Sequence, residues 1–151
     1  MKIAVGSDET TNLTGAVVAC LEQMGHQIQL HGALAGDEGI WSAVGAAVGE
    51  AVLRGEAQEG VLLCWTGTGV AIAANKLPGI RAALCADAET ARGARRWNHA
   101  NVLVMSLRTV SEPVAFEIMD AWFNTSFGGE EDARNVALVA ALENRYCRGQ
   151  Q

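Results

Sequence analysis

Hydrophobic positions gather in five short runs, Lys2 to Val5, Gln27 to Leu30, Gly60 to Cys64, Ile80 to Leu84 and Asn101 to Met105, each of strand length. Between them the apolar residues recur at helical spacing. Leu13, Val17, Cys20, Leu21 and Met24 share one face of a helix from about Asn12 to Met24, with Gly25 as its stop. An alanine-rich helix follows near Trp41 to Leu53, and a third opens inside Thr66-Gly67-Thr68-Gly69 and runs to Asn75, before Leu77-Pro78-Gly79. A fourth spans roughly Ala88 to Arg96, a fifth Pro113 to Asn124 with its proline in the first turn, and a last Asp132 to Tyr146. Regular alternation of strand and helix predicts an α/β fold in which a parallel sheet is covered on both faces. The last helix comes after the sheet is complete. Its apolar residues Val136, Val139, Ala140 and Leu142 need a surface that a second subunit would supply.

Composition narrows this picture. At 151 residues, half of them hydrophobic, the chain reads as one domain over 1–151 with a core of its own. The net charge of -6, with no basic cluster beyond Arg92, Arg95 and Arg96, argues against a nucleic-acid face. The apolar start is too short for a signal peptide and no segment has the roughly 18 apolar residues of a membrane span, so a cytoplasmic protein without a membrane partner is expected. Cys20, Cys64, Cys85 and Cys147 have no paired spacing, and His26, His31 and His99 are scattered, so free thiols and no metal are expected.

In open parallel sheets, ligands bind beyond the carboxyl ends of the strands. Two loops there carry chemistry. In Gly6-Ser7-Asp8-Glu9 a carboxylate follows the first strand directly, where it would either accept from a ligand hydroxyl or cap the first helix. In Cys64-Trp65-Thr66-Gly67-Thr68-Gly69 a thiol ends a buried strand beside a glycine turn whose helix-start amides would hold an anionic oxygen and favour a thiolate. An unpaired cysteine is also commonly a small core residue, so spacing alone leaves both readings of Cys64 open. The turn lacks the lysine of a P-loop and the glycine order of dinucleotide folds.

The run Ala73-Ala74-Asn75-Lys76-Leu77-Pro78-Gly79-Ile80-Arg81-Ala82-Ala83-Leu84-Cys85 closely resembles the ribose-5-phosphate isomerase B family, which includes the galactose-6-phosphate isomerase subunits. Met1 to Asp8, Arg96 to Val102 and Asp120-Ala121-Trp122 resemble it too, in unbroken order to about Glu143. The resemblance implies a three-layer, flavodoxin-like sheet of five parallel strands. It also implies a homodimer or dimer of dimers with sites shared between subunits, no cofactor, and aldose-ketose isomerisation through a cis-enediolate. Carried over by position, Cys64 is the proton-shuttling base, Thr66, Gly67 and Gly69 hold the enediolate oxygens, and Asp8 is the acid after the first strand. Asn98 matches the asparagine of a His-Asn pair, and Arg108 and Arg134 match two arginines that hold a phosphate.

Departures from the pattern bear on the substrate. Glu9 and Trp97 stand where the family has histidines, the second of them credited with opening the sugar ring, and indole cannot transfer a proton as imidazole does. His99 would substitute only if its loop turned differently. Glu130 replaces an arginine and is followed by Glu131 and Asp132; two unit charges about 4 Å apart interact by roughly 4 kcal/mol at an effective dielectric near 20, so this exchange weakens phosphate binding, and the remaining Arg108 and Arg134 are expected to pair with the new carboxylates. Trp65 replaces a glycine beside the base, and Trp41 aligns loosely with a substrate-side tyrosine. Singly these tryptophans read as packing; with Glu9 and Glu130 they suit a neutral or amino-bearing sugar or sugar-like ligand. The sequence therefore predicts an isomerase acting on a substrate other than ribose 5-phosphate, with an ordinary ribose-5-phosphate isomerase and a non-catalytic, subunit-type member as alternatives.

Overall fold

A computed structural model describes residues 1–146. The elements are β1 (Lys2–Ser7), α1 (Asn12–Gln23), β2 (Gln27–Gly32), a 3-10 turn at Ala33–Ala35, α2 (Trp41–Leu53), β3 (Glu59–Cys64), α3 (Thr68–Ala74), β4 (Ala82–Leu84), α4 (Ala88–Asn98), β5 (Val102–Ser106), α5 (Glu112–Phe123) and α6 (Glu130–Tyr146). The strands form one five-stranded sheet in the order β2-β1-β3-β5-β4, and every pairing is parallel. The three-layer α/β architecture is the expected one. Its last two strands are exchanged relative to the 2-1-3-4-5 order of flavodoxin itself.

Alternation along the buried strands builds two cores. Ile3, Val5, Val61, Leu63, Leu103 and Met105 pack on α1, α4 and α5, while Ala4, Leu62, Cys64, Val102 and Val104 pack on α2 and α3. The central strand β3 is buried along its whole length. Cys20, Cys64 and Cys85 are free thiols, and Cys147 lies outside the described residues. No described helix is long and apolar enough to cross a membrane.

Local chemistry explains where the elements stop. Thr11, not Asp8, caps α1, through a reciprocal capping box with Thr14. β4 starts later than the apolar run suggests, because the Arg81 amide is satisfied by Asn101 Oδ1 at 2.8 Å and Ile80 is buried in the α2–α3 core. Helix α6 begins at Glu130, and its acidic first turn suits the positive end of the helix dipole. That helix has no buried residue: it leans on α4, its Glu143 Oε2 accepts from the Gly79 amide at 3.0 Å, and Leu138, Val139 and Leu142 are exposed.

Candidate active site

At the carboxyl end of the sheet, the loops after β1, β3 and β5 converge. The Ser7 hydroxyl donates to the Glu9 carbonyl at 2.7 Å and accepts from the Glu9 amide, folding a tight turn that carries Asp8. The Cys64 thiol, buried at the end of β3, donates to Asp8 Oδ2 at 3.4 Å. Asp8 is thereby released from the capping role left open above and joined to the thiol. Its other oxygen, Oδ1, is shielded from water and has no partner among the described residues.

Gly67 holds the turn after Cys64 in the left-handed region, with φ of 79°, and a Cβ there would lie 2.5 Å from Leu84 Cδ1. Burial pushes the Cys64 thiol up, the Gly67 amide pulls it down by hydrogen bonding, and the Asp8 charge and hydrogen bond push it up again, with a smaller downward pull from the Val70 amide. The helix-start amides do favour a thiolate, as the sequence suggests, but burial outweighs them. Thr66 and Thr68 share a hydroxyl hydrogen bond of 2.8 Å at the exposed rim. Gly69 has a packing reason of its own, since a Cβ would come within 2.9 Å of the Trp41 ring. The Trp65 carbonyl accepts from the Ser106 hydroxyl and from the Arg108 amide, each at 2.9 Å, so Arg108 is fastened to the thiol loop. Glu9, Trp65, Thr66 and Arg108 are all exposed beside the pair.

The remaining predicted residues lie elsewhere. Helix α4 runs back toward the start of β5, which brings Trp97, Asn98 and His99 to the amino end of the sheet. There Arg81 donates to the Asn98 and His99 carbonyls. The length of β3 separates the two groups, roughly 16 Å at about 3.3 Å per residue. Trp97 is 58% exposed, whereas the His99 ring stacks on Phe127 with centroids 4.6 Å apart and Nε2 buried without a partner among the described residues. His99 is thus held in a stack and does not substitute for Trp97. Glu130 and Arg134 sit on the first turns of α6, whose leading Gly128 amide donates to the Arg96 carbonyl at the same end. Neither Arg108 nor Arg134 forms an ion pair among the described residues, so the expected pairing with Glu130 and its neighbours does not occur. An open groove of about 820 Å³ runs along the edge strand β4 between α4 and α6; Trp97, Asn98 and Leu142 line it, and Cys64 and Asp8 do not.

A family model described as Ribose/Galactose Isomerase matches residues 3–139. The chain belongs to that family. Ribose-5-phosphate isomerase B of Escherichia coli is 35% identical over 152 residues, covering 95% of this chain and 97% of the relative. D-erythrulose-4-phosphate isomerase of Pectobacterium atrosepticum is 33% identical over 147 residues, covering 96% and 97%. The solved Clostridium thermocellum ribose-5-phosphate isomerase B superposes with a TM-score of 0.89 at 36% identity, covering 97% of this chain and 99% of that one. This chain is accordingly an isomerase, an intramolecular oxidoreductase.

Sequence reasoning missed two features of this isomerase and placed a third, Trp41, only loosely. The loop before α2 presses on the Asp8 turn, where a Cβ on Gly39 would lie 1.9 Å from the Asp8 carbonyl oxygen. Trp41 covers the start of α3. At the amino end, Glu59 is buried with its carboxylate divided between Arg95 at 2.7 Å and the Trp122 indole at 2.6 Å, and Arg95 lies over the rings of Trp122 and Phe127. A charged residue opening an otherwise apolar strand was the one available signal for this network.

Proposed function

We propose that this isomerase interconverts an aldose phosphate and its ketose, with Cys64 as the base, and that two copies of the chain complete each site. The observation that carries the reading is the Cys64–Asp8 contact of 3.4 Å beside the Gly67 turn, at the carboxyl end of a buried strand. With its proton passed to Asp8, the sulfur takes the proton from C2 of the open aldose, the C–H electrons form the C1–C2 double bond as the C1–O1 π pair moves onto O1 to give a cis-enediolate, and the same sulfur returns the proton to C1 as the carbonyl forms at C2. The Thr66 hydroxyl and the turn amides hold the two oxygens while the hydroxyl proton moves from O2 to O1.

A single chain keeps Asn98, Glu130 and Arg134 at the far end of the sheet, so a second copy must present them to Cys64. The uncovered apolar face of α6 and the groove beside β4 support such pairing. The guanidinium groups of Arg108 and Arg134, in no ion pair among the described residues, favour a phosphorylated substrate over the neutral or amino-bearing one suggested by the tryptophans. Glu9, Trp97 and Glu130 favour a phosphate ester other than ribose 5-phosphate. The relative that acts on D-erythrulose 4-phosphate supports that choice.

Cys64→Ala tests the assignment across a panel of tetrose, pentose and hexose phosphates. Loss of the base should lower kcat by at least about a hundredfold. The thermal midpoint should stay near the parent's, since little volume is lost. Turnover at the parent rate would refute the role given to Cys64.

A further inference from the structure

We infer that this isomerase takes sugar phosphates that cannot close a ring, such as tetrose and tetrulose 4-phosphates, and that it has no group for opening a cyclic hemiacetal. The inference rests on the isomerase reading above and names the substrate class of the same site.

Isomerisation and ring opening need different proton transfers. In a furanose such as ribose 5-phosphate the anomeric hydroxyl must lose a proton, the C1–O4 bond must break, and O4 must gain a proton, leaving an aldehyde at C1. Only then can a base reach the C2 proton. Ring opening therefore calls for a second acid-base group near C1 and O4, beyond the one that shuttles hydrogen between C1 and C2. When O4 itself carries the phosphate, no furanose can form and the second group has nothing to do.

Both halves of the site lack that group. At the reacting end the buried Cys64–Asp8 pair is already committed to the C1–C2 transfer. None of the three histidines adjoins it: His26 packs on Phe123 with ring centroids 4.6 Å apart, His31 lies on the edge strand β2, two strands from β3, and His99 lies at the other end of the sheet. At the α4 end, the side chains a second copy would offer are the Trp97 indole and the Asn98 amide, and neither exchanges protons near neutral pH. His99, the one imidazole there, is stacked on Phe127 with Nε2 buried. Two carboxylates remain as candidates: Glu130, which stands one helical turn before Arg134 on the side proposed to hold the phosphate, and Glu9. The Glu9 side chain is exposed and makes no hydrogen bond among the described residues that would aim it at a sugar ring. The phosphate still has its cations, because Arg108 is tied by its amide to the thiol loop and has no carboxylate partner among the described residues.

The test is the dependence of rate on enzyme concentration for two substrates, D-erythrulose 4-phosphate and ribose 5-phosphate, each followed by NMR of the product. With the tetrulose phosphate the rate should rise linearly with enzyme. With ribose 5-phosphate, kcat/KM should be lower by about a hundredfold, the usual worth of a general acid-base group, and the rate should level off at that of spontaneous ring opening. Trp97→His should raise turnover of ribose 5-phosphate and remove the plateau. A linear, comparable rate with both sugars in the parent protein would overturn the inference while leaving the isomerase reading intact. If Glu9→Gln then slowed only ribose 5-phosphate, the missing group would be Glu9. Inactivity toward both sugars and toward the wider panel would defeat the isomerase reading itself.

Discussion

Replacing Arg95 by methionine keeps most of the aliphatic stem and removes the charge that compensates Glu59. The two side chains are about one-tenth exposed, and the contact between them is 2.7 Å. Breaking a buried pair by removing one partner costs about 3–5 kcal/mol, because the other charge is left in a poor solvent. Arg95 also donates to the Ala100 carbonyl at 2.6 Å and stacks on two aromatic rings, which puts the loss toward the upper end of that range. Against a total stability of roughly 5–15 kcal/mol, this is a severe change. Its pH dependence identifies the cause. Burial holds the Glu59 carboxyl above its ordinary range, partly opposed by Arg95, so the native state binds that proton more tightly than the unfolded chain does. Stability from this group is therefore full below the unfolded carboxyl pKa and lost as pH rises through the higher, native one. Without Arg95 the native value climbs further, so the penalty should be largest near pH 8 and shrink as acid protonates Glu59. Urea unfolding of both proteins at pH 5 and pH 8 measures it. A difference below about 1 kcal/mol, or one that does not change with pH, would refute the account of the network.

Because burial raises the Cys64 thiol, kcat/KM should climb with pH through the neutral and alkaline range, and Asp8→Asn, which removes two upward influences, should shift that limb to lower pH; alkylation rates at Cys64 report the same titration. Gly67→Ala forces a left-handed conformation and a 2.5 Å approach to Leu84, so it should cost about 1–3 kcal/mol in denaturant titration and slow turnover by displacing the turn amides. Leu138→Glu with Leu142→Glu places charge on the uncovered face of α6 and should yield a well-folded but inactive monomer by light scattering; an active monomer would exclude a shared site.

The strands and helices were legible because each apolar run has one period and clear stops; α2 falls on its expected bounds and α5 is offset by one residue. The exchange of β4 and β5 was not, since it depends on pairings across the sheet. Nor did position in the sequence reveal that Cys64 and Asn98 occupy opposite ends of the fold. Helix α4 has 11 residues, and at about 1.5 Å each it carries the chain back roughly the length of β3. A residue closing a helix that returns to a parallel strand belongs at the amino end. Asp120-Ala121-Trp122 was recognisable as a match, but its reason, the Trp122 indole on Glu59, spans 63 positions. The sequence left Asp8 between capping and catalysis, and the Thr11–Thr14 box removes the first.

The separation of the two clusters by the body of the sheet makes the protein modular. Substitutions more than about 7–10 Å apart with no shared partners act nearly independently. Within one chain, folding stability can therefore absorb an exchange at Trp97 or Glu130 with little penalty passed to the loops that carry Cys64, Asp8, Thr66 and Gly67. Under the proposed two-copy site, such a layout lets the surroundings of the substrate change without unsettling the fold that supports the thiol loop, and it makes the α4 end the natural place to begin when redirecting this isomerase toward a new sugar.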